Sequence, residues 1–444
     1  METATTAGRV LMGDSLGFHI LFVLLSLTVP ILVSWFELRG IVKRDKRDTA
    51  TAHFWSKIAA ILVVTGVISG TVIALQMTLV WPGILKFGGK VIGLPFMFET
   101  YAFLIEAVFL SLYLTTWKKV KPMVHWAFGL FVVLGSSFSA FAITSVNAWM
   151  NYPTGFSIVD GKVTDVNVWA AMFSTTSLVE FAHSMPAYLL TGTLVFVAGY
   201  SLRLIRAKKM KLSPDTIIYT KKLIHRLMIF AAVLFVLTGI GGDLSGKYLA
   251  KFEPSKLAAL ELNYTTRSDV PLLIGGVGQA DGTVVGPHFE IPYGLSLLVG
   301  NIPSQVVVGL NDIPTKDIPP LTIHTFFNIK MTLLDGLVAV FVLYFGLYYF
   351  KRQWLYKKIT LSLVALLPLM AAGMIELGWM ITEIGRQPWA VRGYVTTVEA
   401  FTTSEGVRVF GFLFPTAFAI LLVVTIIALR KLIRFEKARK DSAL

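Results

Sequence analysis

Two histidines stand inside strongly apolar runs, His19 in "SLGFHILFVLLSL" and His183 in "VEFAHSMPAYLL". Two carboxylate pairs, Glu99 with Glu106 and Glu376 with Glu383, are each seven residues apart. On a helix that step brings both members to one face. Met331 follows Lys330 in "FFNIKM", and residues 376–389 read "ELGWMITEIGRQPW", where Trp379 precedes Glu383, and Arg386 and Pro388 follow a break at Gly385. Paired carboxylates on one face suit a proton relay or metal ligation, with a buried polar pair that only packs as the plainer alternative. Cysteine is absent, which removes disulfides, thiolate ligation and iron–sulfur clusters. Imidazole, thioether and carboxylate without thiolate suit haem iron better than zinc. Because the ligands are spread over several helices, a set of haems is favoured over one site.

These residues must be carried by membrane helices. The chain has 444 residues, 55% of them hydrophobic and 15% charged, with a mean hydropathy of +0.70, too apolar for a soluble domain. Nine runs near 17–37, 54–80, 94–116, 124–149, 178–202, 223–241, 323–350, 358–384 and 408–430 are long enough to span a bilayer as helices. The first lacks the basic flank and small-residue site of a cleavable signal. A net charge of +14 is no sign of nucleic-acid binding, because 27 of the 40 basic residues crowd five alternate segments, Arg39–Lys57, Lys118–Lys121, Arg203–Arg226, Lys351–Lys358 and Arg430–Lys440. The positive-inside rule puts those segments in the cytoplasm, the N-terminus outside and the C-terminus inside. The expected fold is therefore an all-α integral membrane bundle of nine helices.

Three segments follow from that reading: residues 1–241 with helices one to six, an external loop over 242–322, and residues 323–444 with helices seven to nine and a basic tail. The loop, about 80 residues long and rich in Gly and Pro, is out of scale with ordinary connections. The tail "RKLIRFEKARK" reads as an interfacial helix end. Orientation converts position into depth. His19, His183, Glu99, Glu106, Met331, Glu376, Trp379 and Glu383 all fall toward the outer side, whereas His53, His125 and His225 read as ordinary interfacial histidines at the cytoplasmic edge. Ionisable groups at lipid depth are costly and usually functional.

With these residues in view, the chain resembles subunit I of the cytochrome bd-type quinol:oxygen oxidases over nearly its whole length. The resemblance rests on "GRQPW" at 385–389 after "ELGWMITE", "KLAALE" at 256–261, "IPYGLSLL" at 291–298, "LGSSFSAFAITSVNAWMNYPTG" at 134–155, and the spacing of Arg9 and His19. It implies three haems: a low-spin haem b with His183 and Met331 as axial ligands, and a high-spin haem b and a haem d, one ligated by His19 and the other by Glu383. Glu99 would be a further residue at the oxygen-reducing iron. Trp379 would pack on the haem beside Glu383, and Arg386 would pair with propionates through its forked guanidinium. Lys256 and Glu261 would belong to the quinol site, the carboxylate accepting a proton and the cation steadying the anion.

The resemblance further implies quinol oxidation at the external loop and reduction of O2 to water with protons drawn from the cytoplasm. Glu106 would stand near the end of that path, with Ser136 and Ser139 as hydroxyl relays or, more plainly, small packing residues. It implies a prokaryotic cell membrane and a second membrane subunit, and leaves room for a small accessory one. The sequence departs from the family pattern in three places. Ile329 stands where an arginine is usual, two residues before Met331, with Lys330 next to it. The third-helix glutamates are one residue closer than expected, with Ala107 in place of a serine, and the quinol loop is of the shorter type. Two alternatives stay open: a diverged member with haem b in place of d or impaired O2 reduction, and a proton-coupled transporter, against which the lack of a repeat speaks.

Overall fold

A computed structural model describes residues 2–404 and 407–441. Among these, nine helices are long and apolar enough to cross a membrane. They are α1 (Glu2–Val42), α2 (Lys46–Val80), α3 (Pro82–Thr115), α4 (Pro122–Asn151), α6 (Thr175–Ile205), α7 (Pro214–Phe252), α10 (Thr322–Phe350), α11 (Lys358–Ile384) and α13 (Val407–Asp441). Every apolar run expected from the sequence is helical, and most helices extend past the run into polar flanks. The smaller elements are the hairpin β1 (Ser157–Val159) and β2 (Lys162–Thr164), α5 (Val168–Met172), α8 (Pro254–Glu261), the hairpin β3 (Leu272–Gly278) and β4 (Val284–Ile291), α9 (Gly294–Gly300), β5 (Trp389–Val391), β6 (Val395–Thr396) and α12 (Thr397–Ala400).

Local chemistry sets the helix starts. Proline opens α3, α4, α7 and α8, where its missing N–H costs nothing and its fixed φ suits the first turn. The Asp45 and Ser213 side chains cap α2 and α7 by accepting from the backbone N–H groups of Arg47 and Thr216. Pro30, Pro95, Pro186, Pro368 and Pro415 lie inside helices. Each removes one helical hydrogen bond, which a bundle tolerates because neighbouring groups re-satisfy it.

The chain divides into two compact units, Met1–Ser177 with Val395–Leu444, and Leu178–Tyr394. This cut differs from the three sequence segments because α13 packs on α1 and α2 rather than on the helices just before it. In the first unit α1 packs on α2 and α4, and α3 on α4; in the second α10 packs on α11.

The long connection is also built differently from a plain loop. Helix α7 continues to Phe252, so residues 242–252 are still helix. The rest of the connection is ordered too: α8, the β3–β4 hairpin with a bulge between Gly275 and Val277, α9, and two 3-10 turns at Leu310–Asp312 and Thr315–Asp317. His324 pins this segment to α10. It is fully buried, with Nδ1 at 2.7 Å from the Leu260 carbonyl of α8 and Nε2 at 2.9 Å from the Gly275 carbonyl of β3. In the basic tail, α13 runs to Asp441, and the side chains from Phe435 onward lie outside the described residues.

Candidate functional site

Each expected imidazole ligand is held by its Nδ1. His183 on α6 lies 3.1 Å from the Thr238 carbonyl of α7. A carbonyl only accepts, so Nδ1 carries the proton and Nε2 keeps its lone pair. His19 on α1 lies 2.8 Å from Ser69 Oγ of α2, and Ser69 spends its own proton on the Gly66 carbonyl at 2.9 Å. Ser69 therefore accepts from His19 Nδ1–H, which again leaves Nε2 basic. An acceptor held against Nδ1 is the usual way a protein orients an imidazole for iron.

Glycine clears the space beside each ring. A Cβ on Gly70 would sit 3.2 Å from His19 Cε1, and one on Gly242 3.5 Å from His183 Cε1. A Cβ on Gly241 would fall 2.7 Å from His183 Cα and 2.9 Å from the Ala182 carbonyl. That carbonyl is the one Pro186 cannot serve, so α7 approaches α6 closely there. The two imidazoles thus fit an iron-bearing prosthetic group ligated through Nε2.

In the first unit, Glu106 of α3 is buried and accepts from Ser136 Oγ of α4 at 2.6 Å. The same hydroxyl also reaches the Val132 carbonyl at 2.8 Å, so it can swing between two acceptors. Glu99 is half-buried and Ser139 buried. In the second unit, Met331 is 37% exposed, and Lys330 beside it lies within electrostatic reach of His183 and close to Gly378 of α11. Trp379 Nε1 donates to the Tyr188 hydroxyl of α6 at 2.7 Å. Glu376 is half-buried and has one buried carboxylate oxygen without a hydrogen-bond partner.

The end of α11 is ionic. Arg386 Nη2 donates to Glu383 Oε2 at 2.6 Å, a pairing of the two side chains the sequence assigned to propionate and iron. The guanidinium is 4% exposed, and its Nε and Nη1 have no hydrogen-bond partner. Two unused donors on a buried cation, pointing in different directions, can each take an anionic oxygen such as a propionate supplies. Lys256, on α8, is buried against Gly385, pairs with Glu253 at 2.5 Å and shares it with Arg392 at 3.3 Å. Arg392 also reaches Ser255 Oγ and the Gly385 carbonyl. Burial lowers the Lys256 ammonium from its ordinary value, and its pairing with Glu253 opposes that shift.

Glu261, at the end of α8, is 2% exposed with both carboxylate oxygens unpartnered. Burial pushes its carboxyl up to about 8. Leu262 then ends α8 in the left-handed region, at φ 49°. The open cavity nearby, about 360 Å³, is lined by Lys247, Lys251, Pro254, Leu257, Val299 and Val307 among others. It borders α8 at Pro254 and Leu257, whereas Lys256 and Glu261 are not on its wall.

Sequence reasoning missed several members of this group. Glu180 lies one turn before His183 and within electrostatic reach of Lys256, Glu253, Arg386 and Glu383; its i,i+3 step to His183 in "VEFAH" was the available signal. Glu253 and Arg392 sit in loops whose pairing no local pattern gives. His125, read as interfacial, is 2% exposed in a hydrogen-bonded cluster with Glu37 and Tyr113. His225 is half-buried with its ring stacked on Tyr348 at 3.8 Å, and His53 is half-buried beside Trp117.

Fold and site geometry together define a polytopic membrane protein with an oriented imidazole inside each unit. The family described as cytochrome bd terminal oxidase subunit I matches residues 7–437, and the chain belongs to it. A Bacillus subtilis (strain 168) chain provisionally named cytochrome bd menaquinol oxidase subunit I is 32% identical over 418 residues, covering 93% of each chain. Cytochrome bd ubiquinol oxidase subunit 1 of the same organism is 28% identical, over 88% of this chain and 85% of that one. The solved bd oxidase from Geobacillus thermodenitrificans is similar with a TM-score of 0.89 and 35% identity, covering 97% of this chain and 98% of that one. Nine apolar helices and bacterial relatives make this a multi-pass protein of the prokaryotic plasma membrane.

Proposed function

We propose that this chain is the haem-carrying subunit of a quinol:oxygen oxidoreductase that ends a respiratory chain. The single observation that carries the reading is the matched state of His19 and His183, each with Nδ1 committed to an acceptor and Nε2 left basic, in a chain of the bd subunit I family. His183 and Met331 would hold a low-spin haem b; His19 and Glu383 would each hold one of a high-spin haem b and a haem d. Bound haem supplies one-electron transfer and, where an iron position stays open, reduction of O2 to water.

The chain's own residues do the rest. Quinol must shed two protons with its two electrons. Glu261, with its carboxyl raised to about 8, is the local base once deprotonated, and Lys256 supplies positive charge for the anion that forms. Arg386 offers Nε and Nη1 to a propionate while Nη2 holds Glu383. Ile329 stands at the family's arginine position, and Lys330 next to it provides a point charge beside His183 rather than a fork. Two quinols are consumed for each O2, and four protons must reach the reducing site. Glu106 and Ser136 form the hydrogen-bonded pair that would hand protons to Glu99, with Ser139 on the same face of α4.

Quinol oxidation is assigned to the external side and proton uptake to the cytoplasmic side, on the strength of the basic loops. A second membrane subunit completes the enzyme. The test is a dithionite-reduced-minus-oxidised spectrum of the purified complex with pigment extraction, alongside quinol-driven oxygen uptake. A b-haem signal with a further band in the red supports the full assignment, and b signals alone replace haem d with haem b. A preparation without haem overturns the reading and restores the transporter alternative.

A further inference from the structure

Three buried polar residues near the basic end of the first unit have no part in the chemistry proposed so far. Glu37 lies near the end of α1, Tyr113 near the end of α3 and His125 in the first turn of α4. All three are at most 3% exposed. Tyr113 donates its hydroxyl to Glu37 Oε2 at 2.6 Å, His125 Nδ1 meets Glu37 Oε1 at 2.5 Å, and His125 Nε2 meets the Tyr113 carbonyl at 2.8 Å.

The contacts fix how many protons the cluster holds. A backbone carbonyl accepts only, so His125 Nε2 carries a proton. A neutral ring then has a bare Nδ1, which cannot face a bare carboxylate oxygen at 2.5 Å. One further proton therefore lies between His125 and Glu37, as imidazolium with carboxylate or as neutral ring with carboxylic acid. Glu37 is thus a shared-proton site on one oxygen and an acceptor for a phenol on the other.

The cluster also lies in register with the groups above it. Tyr113 is seven residues from Glu106, as Glu106 is from Glu99, so all three share one face of α3 with about 10 Å of rise per step. On α4, His125, Gly129, Val132, Ser136 and Ser139 recur at the four- and three-residue steps of one face. Between the two ends lies a cavity of about 10 Å³ lined by Ser34, Tyr113, Gly129, Leu110 and Val132 among others. That is room for at most one water, and because the wall is apolar a water there is a transient guest rather than a fixed one. Ser34 lines the cavity, and its buried hydroxyl has no hydrogen-bond partner. Its wall toward Glu106 and Ser136 is Leu110 and Val132, packed with Val63. On the other side, Trp117 lies 4.2 Å from the His125 ring and half-buried His53 lies 4.7 Å from Trp117, with Lys118, Lys119 and Lys121 in the loop beyond.

We propose that Glu37, His125 and Tyr113 are the proton-entry relay of the first unit, passing protons through a single water at Ser34 to Ser136 and Glu106. A proton arriving at the His125–Glu37 pair displaces the shared one through the carboxylate to the Tyr113 oxygen. The Tyr113 O–H first turns from Glu37 Oε2 to the water and gives its proton up there as its oxygen takes the one from the carboxyl, so one proton enters, one departs and the cluster keeps its charge. The Leu110–Val132 contact is the narrow step, crossed when a second water is briefly admitted. A cluster with no transport role would be held as well by apolar side chains of the same volume.

The inference rests on Glu106 receiving protons, so the test carries Glu106→Gln in parallel. The full complex in proteoliposomes is assayed for haem spectrum, for proton uptake at the basic-loop face during quinol oxidation, and for the ratio of rates in H2O and D2O. Glu37→Gln keeps the cluster's shape and is expected to keep the spectrum, slow uptake about tenfold or more, and raise the isotope ratio because proton entry becomes limiting. Wild-type uptake overturns the relay, and so does slowed uptake with an unchanged isotope ratio, the mark of a merely structural role. If Glu37→Gln loses its haems, Tyr113→Phe, lacking one oxygen, decides by the same criteria. Slow uptake in Glu106→Gln with normal uptake in Glu37→Gln sinks only this relay; normal uptake in Glu106→Gln sinks the reading beneath it.

Discussion

The stem of Lys256 lies against Gly385: a Cβ there would stand 3.1 Å from both Lys256 Cγ and Cε, and 2.5 Å from the Ile381 carbonyl. The loop helix α8 and the end of α11 therefore meet where only a glycine fits, one residue before Arg386. Gly385→Ala should push Lys256 aside and disturb Arg386 together. We expect KM for quinol to rise several-fold and the haem signal associated with Glu383 to shift, read by steady-state oxygen uptake and the reduced spectrum. A variant with wild-type KM and spectrum would separate the loop from the helix end.

The proposed haem ligation predicts a residue-specific spectral result. His183→Ala and Met331→Ala should each remove the low-spin b signal and quinol oxidation, whereas His19→Ala should remove a high-spin signal and leave the low-spin one. Retention of all wild-type bands in the three variants would refute the ligand assignment.

The glycine walls can be tested without touching a ligand. Gly70→Val brings branched carbon against His19 Cε1, already 3.2 Å from a bare Cβ, and Gly242→Val does the same for His183. Each should lower the pigment bound at its own histidine, measured by extraction, and spare the other.

Glu261 carries a signed pH dependence. Its folded carboxyl is raised from 4.5 to about 8 by burial. Between those values the unfolded chain has released the proton and the folded one still holds it, so folding stability falls as pH rises from 4.5 to about 8. The penalty is complete above that range, at most about 5 kcal/mol. In Glu261→Gln the fall should be absent, so the variant's melting temperature should gain on the wild type as pH increases. Quinol oxidation should behave oppositely, rising in the wild type toward about pH 8 as the base is freed and staying flat and low in the variant.

Glu253 holds two cations, the buried Lys256 and the half-buried Arg392. Glu253→Gln should destabilise the loop by roughly 3 kcal/mol, since removing one partner of a buried pair leaves charge uncompensated. Faster proteolysis across residues 253–300 at unchanged haem content is the expected readout.

The helices were legible because lipid-spanning apolar runs announce themselves locally, as did the basic loops. His19 and His183 stood out for the same reason, each an imidazole in an otherwise apolar window. What the sequence hid is non-local. His125 looks interfacial beside Lys121, and only the return of α1 and α3 brings Glu37 and Tyr113 to it. The order within 242–322 was masked in the same way: His324 reads as a helix-start residue, yet its two ring nitrogens tie together Leu260 and Gly275 from separate elements. Glu383 and Arg386 were recognised as a pair of functional types, but their mutual 2.6 Å contact needed the helix end to be built.

The membership of α13 in the first unit has a consequence for biogenesis. The unit that carries His19 consists of residues 1–177 and the segment from 395 onward, with the whole of the second unit translated in between. A ribosome-bound chain therefore holds α1 and α2 in the bilayer, lacking their α13 neighbour, while the second unit is synthesised and inserted. The half that holds His183 can be finished on a nascent chain, whereas the His19 half is closed only after α13 has followed it, an order that would make any loading at the two histidines sequential rather than simultaneous.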